Sequence, residues 1–537
     1  MRQSQGICAV AAMILCAVLA GPAGGQGRPA DVLIRGGLIY DGSVAKPFVG
    51  DVVIAGDKIA YVGPRASAPA RRVIDAHGMI VSPGFIDAHT HADHFLDARD
   101  RSQRANPAWT MQGVSTVFLG IDGNGTPDLK AEFDRYRKQG IGTNIVSYVG
   151  FGAVRHAVLG DVARAPSPAE LQREKALVAR GMCEGAIGLS AGLFYAPQSF
   201  AKTDEVIALA REAATRGGIY DTHQRDESTY SIGLMASTQE ALRIGKEGGL
   251  PVHISHIKAL GHDVWGKSTD VIKLIGAARA AGQDVTANQY PWLASNTGLE
   301  AALVPRWAAD GGTAAMLRRF QDPALMPRIR REMAQNLARR GGAGTILLSV
   351  ADETGDSPPN AWRGKYLSDV ARQWKVDPLD AAIRILRESG GHASIISFNI
   401  SEADLENFMK QPWTVTSSDG GPGHPRQYAT FPTKYAVYVK QKHVIDTAFF
   451  IRHSTGLTAD IFKLDRRGYL RPGYFADVLV FDPQTYRPRA DYTHPALLSE
   501  GVKELFVNGV AAVDGGKPTG ATAGRPLPHI PPAGSCR

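Results

Sequence analysis

The sequence is poor in cysteine and has no concentrated block of charge of either sign. Four cysteines in 537 residues exclude a small scaffold held together by many disulfides. The 60 Lys and Arg residues are scattered among 52 Asp and Glu residues, so the formal charge of +8 is not gathered into an arm that binds nucleic acid. A hydrophobic fraction of 44% and a charged fraction of 21% argue against disorder, collagen and a multi-span membrane protein. We therefore expect a globular protein with a large core, whose modest basic balance favours small anionic partners.

The first 26 residues have the layout of a secretory signal peptide. One arginine precedes an apolar run from Ile7 to Ala20, and small residues follow, with cleavage expected near Ala23. The run is shorter than the ~20 residues that a membrane-spanning helix needs. We therefore expect an exported protein, periplasmic or secreted, with no membrane segment after residues 1–26 are removed.

Removal of the signal peptide would leave two of the cysteines. Cys8 and Cys16 would be lost, and Cys183 and Cys536 would remain. Cys183 follows an apolar helical stretch and is predicted to be a buried core residue. No structural disulfide is therefore expected, in spite of the oxidising compartment.

The two ends of the remaining chain share a strand-like texture. Short alternating apolar runs separated by Gly and Asp turns fill residues 27–80, and similar runs return at 466–530. The pair Asn508-Gly509 is a strong signal for a hairpin turn. This pattern predicts one small β-sandwich built from both chain ends.

Residues 81–465 instead alternate between strand-like and helix-like segments. The strand-like segments are MIVSPGFIDAH, VSTVFLG, NIVSYVGFG, GAIGLS, GIYDTH, PVHISH, DVTANQY and WTVTSS. Eight such segments with helices between them predict an α/β fold, a (β/α)8 TIM-like barrel. The stretch from about Trp292 to Trp413 is too long for one crossover and contains two further strand-like runs, ILLSV and ASIISFNI. Part of it, at about 293–350, is predicted to be an inserted helical subdomain.

Histidine and aspartate residues stand at the ends of these segments. They are His89, His91, Asp122, His223, His256 and Asp419. The first two are two residues apart, so an extended segment points both side chains to the same side. The carboxyl ends of barrel strands meet on one face, where catalytic residues gather. The pattern therefore predicts a cluster of metal ligands on that face.

Neighbouring residues leave alternatives for some of these positions. His253 is two residues before His256 and shares its face, so spacing alone does not separate the two, although His256 closes the strand and is favoured. Asp87 and Asp93 are interpreted as loop caps or as groups that support the ligands.

The donor set predicts the chemistry. Imidazole nitrogens with carboxylate oxygens suit zinc, as one or two ions, and incomplete coordination leaves room for a water of lowered pKa. Asp419 is the candidate to take the proton of that water and return it to a leaving nitrogen. The reaction predicted is metal-assisted hydrolysis of an amide or a related bond.

Several segments carry a resemblance to a known family. PGFIDAHTHAD, the histidines that end strands, SSDG and the split β-sandwich resemble the amidohydrolase superfamily. GAIGLSAGLFYAP, YDTHQRDE, ISHIKALG, SDGGPGHPRQYATFP and RGYLRPGYFADVLVFDP are similar to the N-acyl-D-amino-acid deacylases, also called D-aminoacylases. The resemblance runs over nearly all of the chain that follows the signal peptide.

The resemblance implies a role for each candidate residue. His89 and His91 would hold one metal, His223 and His256 the other, and Asp419 would be the general base and acid. Tyr195 would polarise the acyl carbonyl. The substrate, a small molecule with a free carboxylate, would be held through that group by Lys258, Tyr290 and Arg426; the arginine suits this role because it forms a bidentate fork.

The sequence departs from the family pattern in two places. Asp122 stands where the best-known members have a metal-bridging cysteine. A carboxylate can also bridge two ions, but its oxygen is a harder ligand than a thiolate, which changes the expected metal preference. The segment between Asp419 and Arg426 is also shorter, which affects the pocket for the substrate side chain.

Other functions compete with this interpretation. One alternative is a group that resembles hydantoinases, dihydroorotase-like enzymes and isoaspartyl dipeptidases. Such enzymes rely on a carbamylated lysine on the fourth strand, whereas the corresponding segment here, EGAIGLSAGLFYAPQS, contains no lysine. A dipeptidase that acts on a C-terminal D-residue would need the same carboxylate clamp. A catalytically silent periplasmic binding protein would lack a ligand or the base, whereas each role has a candidate residue here.

Overall fold

The computed structural model describes residues 30–351 and 360–536. The predicted signal peptide, residues 1–26, lies outside this part of the chain and stays a prediction. No helix within the described ranges is long and apolar enough to cross a membrane.

The described residues form 21 strands and 18 α-helices. The strands are β1 Ala30–Ile39, β2 Phe48–Ala55, β3 Lys58–Gly63, β4 Ala70–Asp75, β5 Ile80–Pro83, β6 Phe85–Asp87, β7 Val114–Leu119, β8 Asn144–Ser147, β9 Val149–Gly150, β10 Gly188–Gly192, β11 Ile219–His223, β12 Val252–Ile254, β13 Val285–Gln289, β14 Ala294–Gly298, β15 Ile346–Leu348, β16 Ser394–Phe398, β17 Thr414–Thr416, β18 Val478–Phe481, β19 Val502–Val507, β20 Val510–Asp514 and β21 Lys517–Pro518. The helices are α1 Asp93–Leu96, α2 Arg101–Arg104, α3 Pro107–Thr110, α4 Leu129–Gln139, α5 Phe151–Leu159, α6 Pro168–Cys183, α7 Thr203–Ala214, α8 Leu234–Gly248, α9 Ser268–Ala280, α10 Leu299–Leu303, α11 Gly312–Arg319, α12 Met326–Arg339, α13 Leu367–Trp374, α14 Pro378–Glu388, α15 Glu402–Met409, α16 Arg426–Thr433, α17 Thr447–His453 and α18 Gly456–Ile461.

A closed parallel barrel forms the centre of the molecule. One parallel sheet has the order β6-β7-β8, and a second has the order β17-β13-β12-β11-β10-β9. Only Tyr148 separates β8 from β9, and a parallel bridge between Thr90 and Gly420 joins the segments that follow β6 and β17. These contacts close a (β/α)8 barrel, so the predicted architecture is confirmed, with a strand in each of the predicted segments.

A β domain from both chain ends packs beside the barrel. One nine-stranded sheet has the order β21-β20-β19-β18-β5-β1-β2-β3, with β4 paired to β1. Successive side chains of β18 alternate between two cores: Val478 and Val480 pack within the β domain, whereas Leu479 and Phe481 pack with the barrel. This period of two attaches the domain to the barrel. The predicted β-sandwich is thus a single hydrogen-bonded sheet of strands from both ends.

The insert is larger than predicted and is not purely helical. An antiparallel sheet with the order β14-β16-β15 joins residues 294–298, 394–398 and 346–348. Helices α10 to α14 pack on it around a hydrophobic core of their own. The predicted helical insert is therefore present, but it extends beyond 293–350 and also contains a sheet, because the apolar runs at 346–348 and 394–398 pair with each other and not with the barrel.

The prediction for the cysteines was also wrong. Helix α6 begins behind a capping box of Ser167 and Glu170 and ends at Cys183, which is exposed and forms a disulfide with Cys536. The C-terminal tail brings its cysteine there by main-chain hydrogen bonds, among them Leu527 N to Ile145 O at 2.8 Å and His529 N to Gly185 O at 2.9 Å. Local sequence shows neither the exposed end of the helix nor the path of the tail.

Candidate metal centre and active site

The predicted ligands lie together at the carboxyl ends of the barrel strands. His89 and His91 follow β6, Asp122 follows β7, His223 ends β11, His256 follows β12 and Asp419 follows β17. Main-chain hydrogen bonds hold two of these segments side by side: Asp419 N donates to His89 O at 2.9 Å, and His91 N donates to Gly420 O at 2.8 Å. The parallel barrel therefore joins residues that lie more than 300 positions apart in the sequence.

One group of possible ligands contains His89, His91, Asp122 and Asp419. The Nε2 atom of His89 is 3.6 Å from Oδ1 of Asp122 and 3.6 Å from Oδ1 of Asp419. The Nε2 atom of His91 is 3.7 Å from Oδ2 of Asp122 and 3.4 Å from Oδ1 of Asp419. Two histidines and two carboxylates thus converge on one point.

A second group shares Asp122 with the first. Oδ1 of Asp122 is 3.7 Å from Nδ1 of His223 and 3.6 Å from Nε2 of His256. Asp122 therefore stands between the two histidine pairs, where a bridging ligand belongs, while β10 carries no lysine. The Cβ-free Gly192 permits this placement, because a Cβ there would lie 2.4 Å from the main-chain oxygen of Asp122.

The backbone is strained at this cluster. Asp122, His256 and Asp419 have φ angles of 55°, 34° and 49°, in the left-handed region that non-glycine residues rarely adopt. Such strain persists where the surrounding structure imposes it, and it collects at functional sites.

Buried polar atoms without partners show that the residues fit a metal. The described residues give no hydrogen-bond partner to Nδ1 or Nε2 of His89, Oδ1 of Asp122 or Nδ1 of His223. An unsatisfied buried polar atom costs free energy, so nearly all such atoms in proteins have a partner. The four imidazoles and two carboxylates form two groups whose possible ligand atoms lie within 4.8 Å of one another, and this donor set matches the ligands of zinc.

The carboxylates of the cluster are ionised. Burial raises the pKa of Asp122, but His89, His256 and His223 outweigh it and hold the pKa well below its usual range. Burial also raises the pKa of Asp419, but the charges of Arg426 and His256 outweigh burial and hold this pKa below its ordinary value. The site is therefore ready to receive a cation.

The histidines differ in charge. Burial lowers the pKa of His223 to about 3, so its ring is neutral, which is the form that binds metals. Burial and the charge of Lys258 lower the pKa of His256, but the carboxylates of Asp419 and Glu227 outweigh them and raise this pKa to about 9. Binding of a metal by His256 must therefore release a proton.

The alternative ligands lie outside both groups. Both ring nitrogens of His253 have partners, Thr286 Oγ1 at 2.7 Å and Asn288 Nδ2 at 3.0 Å, which makes it a structural residue inside the barrel. Asp87 accepts hydrogen bonds from Ser418 N and Trp109 Nε1 and so supports the segment that carries Asp419. Asp93 is the first residue of α1, at the cavity wall.

The two cations assigned to the substrate carboxylate both lie in the site with an acidic partner. Lys258 Nζ is 2.8 Å from Oε1 of Glu227, and Arg426 Nη1 is 2.8 Å from Oδ2 of Asp419. Glu227, whose Oε1 is also 3.3 Å from Nδ1 of His256, was not among the residues predicted from the sequence. Its signal was its position four residues after His223 in YDTHQRDE.

The two tyrosines line the same cavity. The ring of Tyr195 is 4.8 Å from that of His223, and its hydroxyl accepts a hydrogen bond from Thr297 at 3.4 Å. The hydroxyl of Tyr290 is buried, and no described residue forms a hydrogen bond with it. Its ring is 4.8 Å from Cζ of Arg426.

A cavity of about 820 Å³ lies over the cluster. The barrel contributes the possible metal ligands on one side, and the insert contributes Ser295, Asn296, Thr297 and Arg306 on the other. The volume is in the range of small-molecule sites. The insert therefore shapes the space beside the metal ligands.

Comparisons with known proteins agree with this geometry. Residues 72–513 match the model of an amidohydrolase family. The chain is 32% identical over 528 residues to the D-aminoacylase of Alcaligenes xylosoxydans xylosoxydans, covering 93% of this chain and 98% of that protein. It is also 32% identical over 521 residues to the N-acyl-D-aspartate deacylase of the same organism, covering 92% and 93%.

The chain is also similar to a solved structure of a deacylase. The N-acyl-D-glutamate deacylase of Bordetella bronchiseptica, complexed with zinc and a phosphonate mimic of the tetrahedral intermediate, is 28% identical, with a TM-score of 0.78 over 93% of this chain and all of that one. Both its fold and its length correspond to the present chain. On these grounds the chain belongs to the amidohydrolase family, within the group of D-aminoacylases and N-acyl-D-amino-acid deacylases.

Proposed function

We propose that this protein is a zinc-dependent N-acyl-D-amino-acid deacylase, which hydrolyses the amide bond and releases a carboxylate and a free D-amino acid. The observation that carries the proposal is the position of Asp122 between two histidine pairs, next to Asp419, in a chain similar to deacylases over nine-tenths of its length. Its substrate is a small molecule.

The proposed zinc ligands are His89, His91, Asp122, His223, His256 and Asp419. Zinc, when bound, supplies a Lewis acid that lowers the pKa of a coordinated water toward ~7 and polarises the acyl carbonyl. The carboxylate of Asp122 reaches both histidine pairs and is the ligand that two ions would share.

Asp419 is proposed as the general base and acid. Arg426 holds Oδ2 of this carboxylate at 2.8 Å, which leaves Oδ1 directed at His89 and His91. Oδ1 takes the proton of the attacking water and returns it to the leaving nitrogen, work that is usually worth 10²–10⁴ in rate. Tyr195 lies beside His223, where its hydroxyl can donate to the acyl carbonyl.

The substrate carboxylate is proposed to bind at Lys258, Tyr290 and Arg426. Since Glu227 and Asp419 already pair with the two cations, the carboxylate must share them. The Tyr290 hydroxyl, which lacks a partner among the described residues, is an unshared donor. A clamp of this kind orients the amide toward Asp419.

Hydrolysis of racemic N-acetyl amino acids by the zinc-loaded protein tests the function. Methionine, leucine, phenylalanine, glutamate and aspartate derivatives are incubated, and the freed amino acid is resolved by chiral chromatography. We expect only the D-enantiomer, and no release by protein dialysed against a chelator. Release of the L-enantiomer, or of neither while zinc stays bound, would contradict the proposal.

We also propose that the protein is exported. The layout of residues 1–26 supports this, and so does the exposed disulfide of Cys183 and Cys536, since such bonds persist in oxidising compartments. Intact mass spectrometry of the full chain expressed in a bacterium is expected to show loss of about the first 26 residues and no free thiol. An intact amino terminus with two reactive thiols at 183 and 536 would contradict export.

A further inference from the structure

The main chain at Asp122 takes a path that few side chains tolerate. Asp122 and Gly123 both have positive φ angles, 55° and 78°. An L-residue stays in this region only where its surroundings impose it, because its Cβ crowds the following carbonyl oxygen. The contacts that impose this conformation therefore also set the direction of the Asp122 carboxylate.

Side chains bind both polar groups of the peptide unit that joins Asp122 to Gly123. Gln198 Nε2 donates to Asp122 O at 2.8 Å, and Gly123 N donates to Ser190 Oγ at 2.8 Å. Ser190 lies in β10, and Gln198 begins the short 3-10 helix Gln198–Phe200 that follows this strand. Since a peptide unit is planar, holding its oxygen and its nitrogen fixes its orientation.

The side-chain amide of Gln198 is itself held in one position. Its Oε1 accepts a hydrogen bond from Gly192 N at 2.7 Å, and the residue is 3% exposed. Glycines leave the space that the amide fills: a Cβ at Gly123 would collide with Oε1, and a Cβ at Gly152 would lie 2.6 Å from Nε2. The amide is therefore enclosed, with its donor directed at Asp122.

Gln198 also connects Asp122 to the turn that carries Tyr195. Tyr195 lies three residues before Gln198, and its N donates to Gly192 O at 3.0 Å. Ser199 N in turn donates to Tyr195 O at 2.8 Å. One side chain thus joins the carboxylate between the histidine pairs to the turn whose tyrosine is assigned to the acyl carbonyl. Gln198 was not among the residues predicted from the sequence.

We propose that Gln198, together with Ser190, is a positioning residue for the metal centre. The two side chains hold the peptide unit after Asp122, so that one carboxylate reaches both histidine pairs. The proposal rests on the zinc-dependent function and concerns how tightly zinc is held.

The expected effect follows from the central place of the Asp122 carboxylate. Its oxygens lie 3.6–3.7 Å from ring nitrogens of all four histidines of the cluster. A small rotation of the carboxylate would therefore disturb both groups of ligands at once. Groups that orient a metal ligand without touching the metal typically change metal affinity by about 10–100-fold.

The test replaces Gln198 and measures zinc binding by the full chain. Gln198→Met keeps the length of the side chain but has no amide, so Asp122 O and Gly192 N lose this partner. Competition with a chelator is expected to show zinc bound about 10-fold or more weakly than in the wild type. The visible absorption spectrum of the cobalt-loaded protein should also change, because it reports the ligand geometry around the ion.

Ser190→Ala tests whether the two side chains act on the same peptide unit. Either substitution alone lets this unit turn, so the second should add little. We expect the loss of zinc affinity in the double variant to be smaller than the product of the two single losses. A loss equal to the product would contradict a shared role.

The matched control is Gln283→Met. Gln283 also donates through its amide to a main-chain oxygen, Leu242 O at 2.8 Å, but it lies two residues before β13, at the amino end of the barrel. This variant should keep the wild-type zinc affinity and cobalt spectrum. Thermal melting of the metal-free proteins checks the fold. If Gln198→Met does not fold, Gln198→Asn replaces it, since its amide is one methylene shorter and cannot span Gly192 N and Asp122 O.

An unchanged zinc affinity and cobalt spectrum in folded Gln198→Met would overturn the proposal, even if kcat fell. Gln198 would then only support the turn that carries Tyr195. A wild-type protein that binds zinc but hydrolyses no N-acyl-D-amino acid would refute the deacylase function alone, and zinc affinity would still decide the role of Gln198. A wild-type protein that binds no zinc would refute both.

Discussion

The two ends of the barrel hold buried polar clusters of opposite character. At the carboxyl end, the described residues leave polar atoms of His89, Asp122 and His223 without partners. At the amino end, Asn144 is the first residue of β8 and joins a network in which, among the described residues, no fully buried side-chain atom lacks a hydrogen-bond partner. Its other members are Arg467, Asp477 and Asn508.

The amino-end network connects separate parts of the chain. Asp477 accepts from Arg467, from Asn144 at 3.1 Å and from Asn508 N at 2.8 Å. Asn508 donates to Asn144 at 2.7 Å and to Ala523 O at 2.8 Å, which ties in the C-terminal tail. The buried groups at this end stabilise the fold.

The two clusters therefore have different roles: the carboxyl-end cluster serves function, and the amino-end cluster serves stability. The carboxyl-end cluster has strained backbone, like charges in proximity and open coordination, and these features cost stability but suit a metal and a substrate. The amino-end cluster satisfies its buried charges, as barrel proteins do on the face away from the active site. Substitutions at the two ends should therefore affect different measurements.

The largest effect is expected at the carboxyl end, from Asp419→Asn. The amide cannot act as a base, so kcat should fall by about 10²–10⁴. Zinc content should remain near the wild-type value, because the other ligands are unchanged. Zinc per chain is measured by mass spectrometry beside kcat, and an unchanged kcat would remove Asp419 from the mechanism.

At the amino end, Asp477→Ala should affect stability alone. Its loss leaves the Arg467 charge buried and uncompensated, which costs about 3–5 kcal/mol of unfolding free energy. Denaturant unfolding measures the loss, and kcat/KM of the folded fraction should not change. The control Asp204→Ala removes an exposed ion pair with Arg243 and should cost less than about 1 kcal/mol.

Removal of the disulfide is expected to be milder. Cys183→Ser with Cys536→Ser frees the C-terminal tail from α6, which should lower the free energy of unfolding by about 2–4 kcal/mol. The melting temperature of the wild-type protein under reducing conditions should equal that of the variant. Since the tail lies at the amino end of the barrel, kcat/KM of the folded variant should not change. A loss of kcat/KM together with stability would contradict the division of roles between the two ends.

The barrel and most of the site could be predicted because each strand carries its own signal. An apolar run followed by His or Asp, as at His223 and Asp419, gives both the strand and the ligand position. Glu227 lies in the segment YDTHQRDE, but it was not predicted as a site residue, because its contact with Lys258 depends on the loops after two different strands. The sheet of the insert was missed for the same reason, since its strands are nearly 100 residues apart.

The sequence alone determined the repeating strands and helices, the residues at the strand ends and the family to which the chain belongs, because these depend on local periodicity and on residue types in order. Only the tertiary structure decided that His256 and not His253 faces the cluster, that Cys183 meets Cys536, and that Arg306 lines the cavity. These facts depend on how distant segments pack, and no local pattern encodes the packing of segments that are hundreds of residues apart.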